Sequence, residues 1–95
     1  MQLNWLIRQA HQMEEDIPDY RVGQHFCNLL IKDTTTDPLF SKLWNEQIEA
    51  DALDIIYEIM GKYHWKGSML PNIRTCTYNG AGEWEFRDIE TGELY

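Results

Sequence analysis

Between Glu46 and Gly61 the chain repeats with the period of an α-helix, and the repeat separates two kinds of side chain cleanly. At about 100° per residue, Ile48, Ala52, Ile55, Ile56, Ile59 and Met60 share one face, while Asp51, Asp54 and Glu58 share the opposite one. A helix of this kind must lay its apolar face on a core and leave its carboxylates in water. The rest of the fold therefore has to supply a surface for it to cover. Gly61 is placed to end the helix, and Lys62 and His64 complement the negative end of its dipole.

The same period appears earlier in the sequence. Leu3, Ile7 and Ala10, with Met13 and Trp5, predict an inward side for a first helix over residues 5 to 15, capped by Asn4. Asp16-Ile17-Pro18-Asp19 reads as a turn, with Asp19 as the cap of a second helix from Tyr20 to Ile31 on which Val22, Phe26, Leu29 and Leu30 recur. Gly23 inside that helix costs about 1 kcal/mol relative to Ala, so it marks a close helix crossing or the approach of a ligand. Asp37-Pro38 is a cap followed by a first-turn proline, opening a short helix from Leu39 to Trp44.

Beyond residue 66 the period changes. Gly67, Pro71 and Asn72 mark a connection, Ile73 to Tyr78 reads as a strand, Asn79 to Gly82 as a turn, and Glu83 to Arg87 alternates as a half-buried strand should. Asp88 to Gly92 makes a second turn, and Leu94-Tyr95 can return as a short strand. The fold class that follows is α+β: one domain over residues 1 to 95, with three to four helices in 1 to 66 and a C-terminal antiparallel β-hairpin in 67 to 95. Trp84 and Phe86 are expected to pack that hairpin across the helices.

Charge limits function more than it limits fold. Sixteen acids against eight Lys and Arg give a net charge of -8, yet the apolar fraction of 43% and aromatic fraction of 13% are those of a folded chain. Residues 33 to 61 hold seven acids and only Lys42, whereas 62 to 82 hold Lys62, Lys66 and Arg74 and no acid. Such a surface attracts a basic partner and repels nucleic acid and anionic membrane. Asp51, Asp54 and Glu58, extended by Glu46 and Glu49, are the candidate contacts, either as a solvated helix face or as a strip that imitates the charge spacing of nucleic acid.

Other chemistry is sparse. Cys27 and Cys76 stand far apart with no metal-ligand spacing, which predicts two reduced structural thiols, no metal and no cofactor. His25 and Cys27 lie two apart on a helix and so point away from each other, and no nucleophile elbow, phosphate loop or zincin helix is present, which predicts a non-enzyme. No secretory h-region or membrane span is legible, which predicts a cytoplasmic protein. Lys62-Tyr63-His64-Trp65-Lys66 mixes base and aromatic, and its rings are expected to pack on the hairpin. Asp88-Ile89-Glu90-Thr91-Gly92-Glu93 resembles a short degron-type motif that binds Kelch propellers, and is equally an ordinary hairpin turn.

Tyr20-Arg21-x-Gly23-Gln24-x-x-x-Asn28-x-Leu30, followed by Asp37-Pro38-Leu39-Phe40, resembles the R-x-G-Q-x-x-x-N-x-L segment of many small phage and prophage proteins over residues 4 to 40. The resemblance implies a mobile-element origin, and with it host-directed binding or defence evasion of the anti-CRISPR kind. Three uses of the chain follow. The leading one is an acidic module that inhibits or modulates a basic host protein or nucleoprotein complex. The second is a small homo-oligomer holding a nucleotide or similar ligand among Arg21, Gln24, Asn28, Tyr63 and Trp65. The third is a minor phage structural or assembly component.

Overall fold

The first helix, α1, spans Leu3–Glu14 and buries Leu3, Leu6, Ala10 and Met13, a repeat of three and four residues along one side. A computed structural model describes all 95 residues. The apolar stripe of α1 includes Leu6, while Ile7 is only half-buried and Trp5 stands 64% exposed on the far side. The helix starts two residues earlier than the Asn4 cap predicts. Leu3 N–H donates to the carbonyl of Gly67 at 2.7 Å, so tertiary pairing does what a capping side chain would have done.

Helix α2, Val22–Leu30, is buried along almost its whole circumference, with only Gln24 half-exposed. It begins at Val22 rather than Tyr20, because Asp19 adopts a left-handed backbone with φ 64° that no cap can use. The capping contact comes instead from Gln24, whose side-chain oxygen accepts the Arg21 N–H at 3.2 Å. Helix α3, Pro38–Asn45, starts as predicted: Asp37 accepts the Leu39 N–H at 2.9 Å and Pro38 fills the first turn.

Helix α4, Glu49–Tyr63, is the amphipathic segment. Ala52, Ile55, Ile56 and Ile59 are buried, but Ile48 lies just before the helix and is 60% exposed. Gly61 does not end it. The helix continues to Tyr63, and His64 takes the left-handed capping conformation at φ 58°, its N–H and that of Trp65 closing on the last turn. Continuation past Gly61 keeps Tyr63 in register with Phe40 below it.

Strands β1, Arg74–Tyr78, and β2, Trp84–Asp88, form the antiparallel hairpin with Arg74 opposite Asp88 and Tyr78 opposite Trp84. Leu94 returns beside Arg87, and Tyr95 N–H reaches the Phe86 carbonyl at 2.7 Å. The second turn is the hairpin form: Asp88 Oδ1 accepts the N–H groups of Glu90 and Thr91 at 2.8 and 3.0 Å. Phe86 packs on the core as expected and meets the His25 ring edge-on at 5.9 Å, while Trp84 reaches the turn after α1, donating to Asp16 at 2.7 Å.

The fold is thus α+β, four helices and a C-terminal hairpin, with α2 at the centre of a core that also draws on α1, α3, α4 and Leu70. Gly23 marks the helix crossing. A Cβ there would stand 2.7 Å from the Leu43 carbonyl oxygen and 3.0 Å from its Cδ1, and the oxygen belongs to backbone. Replacing Gly23 by Ala should therefore destabilise by about 1 to 3 kcal/mol despite the better helix propensity, measured by urea unfolding. A stabilised variant would show that the two helices are not in contact there.

Candidate functional site

Because α2 is enclosed, its polar side chains must find partners inside the molecule, and they do so as one directional chain. Asn28 Nδ2 donates to the Tyr20 hydroxyl at 3.1 Å, Tyr20 donates to His25 Nδ1 at 2.8 Å, and His25 Nε2 donates to Gln9 Oε1 at 2.7 Å. Gln9 Nε2 then reaches the Cys76 carbonyl of the hairpin at 3.4 Å. Burial keeps His25 neutral, and a proton on Nε2 then satisfies every link. Burial of the ring pushes its pKa down to about 4, and burial holds the Tyr20 phenol well above its ordinary value.

The other buried polar groups are equally committed. Arg74 Nη1 donates to the carbonyls of Asn28 and Ile31 at 2.9 Å each, closing the C-terminal end of α2, and its guanidinium lies 3.6 Å from the Tyr95 ring centre. Asp37 receives Lys62 Nζ at 2.5 Å and the Tyr63 hydroxyl at 2.6 Å, which ties the start of α3 to the end of α4. The Lys62 hydrogen bond first, then those of Tyr63 and the Leu39 N–H, holds its carboxyl down to about 2. No buried side-chain nitrogen or oxygen is left without a partner.

These contacts decide where the sequence candidates stand. Arg21 donates to the carbonyls of Glu46 and Trp44 at 3.1 and 3.0 Å, Gln24 caps α2, and Asn28 belongs to the buried chain, so these three side chains act here as scaffold. Tyr63 and Trp65 stack at 5.2 Å, and the stack continues to Phe40 and Phe26. The rings of this segment therefore pack on α2 and α3 and not on the hairpin. The hairpin face of α2 is already filled by His25 against Phe86. Arg21 lines a cleft of about 500 Å³ with His11, Glu14, Asp19, Glu46 and Glu49, Asn28 lines a separate one of about 180 Å³, and Tyr63 and Trp65 line neither.

The basic joint read from residues 62 to 82 is largely spent inside the fold, since Lys62 serves Asp37 and Arg74 serves α2. The acids are not. Of sixteen, two enter ion pairs, Asp37 with Lys62 and Glu85 with Arg87, and Glu49 shares a hydrogen bond with His11. Glu46 is half-buried and turns its carboxylate onto the N–H groups of Gln47 and Ile48. Asp51, Asp54 and Glu58 remain exposed along α4 with neither an ion pair nor a side-chain hydrogen bond, although Asp51 also complements the dipole in the first turn. Sequence periodicity places these three on the outer face of α4, where they stand, and groups them with Glu46 and Glu49, two acids that the fold uses.

Two further features carry chemistry or limit it. Both cysteines are free, and burial pushes each thiol up to about 12, so both stay protonated at neutral pH. No group of three or more His, Cys, Asp or Glu side chains is arranged to hold a metal ion, and no helix is long and apolar enough to cross a membrane. No family model, curated protein or solved structure matches the chain.

Acid should weaken the fold over two separate pH windows. The unfolded chain protonates its histidine below about 6.5 while the folded one resists to about 4, so His25 contributes stability above 6.5 that is lost as pH falls across that window, about 3 kcal/mol in all. Asp37 contributes stability above its ordinary 3.8 that is lost as pH falls toward about 2. Unfolding curves from pH 7 to 2 should flatten over the first window in His25→Gln and over the second in Asp37→Asn. Unchanged slopes in either variant would contradict the assignment of that group.

Proposed function

We propose that this chain is a non-enzymatic, acidic interaction module that binds a basic protein through the outer face of α4. One observation carries the reading: Asp51, Asp54 and Glu58 form a row along a rigid helix, in water, and no cation of the fold answers them. A purely solvating face interleaves both signs, because unanswered like charges at i, i+3 and i+4 repel by a few tenths of a kcal/mol per pair. Retaining them in this row costs stability that a basic partner would return. Phosphate backbones and anionic lipids are repelled by the same row, so the partner is a protein.

The resemblance of residues 4 to 40 to phage and prophage proteins supports a mobile-element origin, and a host nucleic-acid-processing or defence complex, whose positive grooves attract carboxylates, is the class of target that fits. Protonated thiols and a neutral, fully partnered histidine support a binding role over a catalytic one. The scaffold duties of Arg21, Gln24 and Asn28 favour the acidic face over the ligand-holding reading of those residues.

The wild-type chain, immobilised and exposed to a lysate of its own host, should retain a basic protein that salt releases, since screening shortens the reach of exposed charges to about 10 Å at 0.1 M. The triple variant Asp51→Lys, Asp54→Lys, Glu58→Lys, folded by circular dichroism, should lose it. Equal retention of the same protein by that variant would sink the proposal.

A further inference from the structure

The acid row has an apolar neighbour on the same helix. Around α4 the buried side is followed by half-buried Leu53 and Met60 and by Tyr57, which is 58% exposed, before the row of Asp54, Glu58 and Asp51 begins. Ala50 and Gly61 fill the space between, both exposed and uncharged. The outward half of α4 thus carries two parallel stripes of the same pitch. Leu53, Tyr57 and Met60 stand at i, i+4 and i+7, and Asp51, Asp54 and Glu58 at i, i+3 and i+7.

The apolar stripe opens into a groove. Tyr57 and Met60 form one wall and Gln2, Leu3, Asn4, Gly67 and Ser68 the other, enclosing about 520 Å³ with no charged residue in the lining. That second wall is fixed in place, since Leu3 N–H binds the Gly67 carbonyl and Leu70 N–H binds the Met1 carbonyl, each at 2.7 Å. A Cβ on Gly67 would stand 3.5 Å from the Met60 methyl, an ordinary van der Waals distance, so the two walls meet closely at this point. Nothing in the fold covers Tyr57, a large side chain in water beside carboxylates.

We infer that this groove and the acid row together seat a basic amphipathic helix of the partner, whose apolar ridge enters between Tyr57, Met60 and Asn4 while its Lys and Arg side chains meet Asp51, Asp54 and Glu58. The inference rests on the proposed acidic interaction and adds the shape of its partner. A helix fits because both stripes run straight along about two turns of α4, roughly 10 Å, and a partner helix laid alongside presents an apolar and a charged stripe at the same repeat. Charge complementarity selects a basic one. A second copy of this chain is disfavoured, since it would bring another net charge of -8 beside the same row.

The test uses the isotopically labelled full chain and a synthetic Leu/Lys peptide of about five helical turns with its leucines on one face, beside a scrambled peptide of identical composition. Backbone amide shifts are expected to concentrate at Asn4, Tyr57, Met60, Gly67 and Ser68, with the amphipathic peptide binding about tenfold or more tighter than the scrambled one. Tyr57→Ser, at an exposed position, should weaken that binding about tenfold, a loss of the size seen for an aromatic anchor. Asp54→Asn with Glu58→Gln should weaken both peptides and flatten the salt dependence. If that double variant matters while Tyr57→Ser does not, the groove is wrong and the acidic reading stands. Equal binding of the two peptides also overturns the groove. If neither substitution alters binding, the acidic reading falls as well. Concentration-dependent shifts of the same amides without peptide would assign the face to a second copy and overturn the inference.

Discussion

The enclosure of α2 is the constraint on which the rest of this structure depends. A helix buried on nearly every side has no solvent to satisfy its polar side chains, so His25 and Asn28 are tolerable only because Tyr20, Gln9 and the Cys76 carbonyl complete a chain of donors and acceptors through them. That chain links α1, the loop after it, α2 and the hairpin. Arg74 does the same work at the end of α2, where two carbonyls and the Tyr95 ring surround a buried guanidinium. The hairpin is thereby an integral part of the core, held by polar contacts where a two-stranded sheet alone would be marginal.

A division of labour follows from that arrangement. The central helix and its surroundings consume most of the strongly polar side chains that point inward: Arg21, Gln24, Asn28, Asp37 and Arg74 all serve backbone or buried partners. Asp37 with Lys62 and Tyr63 locks the two ends of the α3 and α4 pair. What remains uncommitted is the outside of α4, where an acid row and an exposed tyrosine lie side by side on a helix whose opposite face is anchored by Ile55, Ile56 and Ile59. Rigid support behind a free surface is what a binding face requires.

Much of this was legible in the sequence, wherever local pattern alone decides the outcome. The Asp37-Pro38 start of α3, the isoleucine face of α4, the close packing at Gly23 and the alternating strand around Trp84 and Phe86 each follow from periodicity or turn chemistry. The failures share a cause. Leu3 takes its cap from Gly67, the helix runs through Gly61 to His64 because Tyr63 has a place against Phe40, and Lys62 and Arg74 find their partners far along the chain. Long-range pairing leaves no local signal. The groove beside Tyr57 was hidden for the same reason, since its second wall comes from residues 2 to 4 and 67 to 68.

If Asp54 and Glu58 are kept for a partner, they contribute nothing to holding the fold together, so the most direct measurement is the unfolding free energy of the Asp54→Asn, Glu58→Gln double variant in low salt. These two carboxylates stand four residues apart on one face with no cation between them, and neutralising both should leave stability unchanged or raise it by a few tenths of a kcal/mol. A loss of more than about 1 kcal/mol would mean that the row is holding the structure together, and would contradict its assignment as a surface kept for a partner.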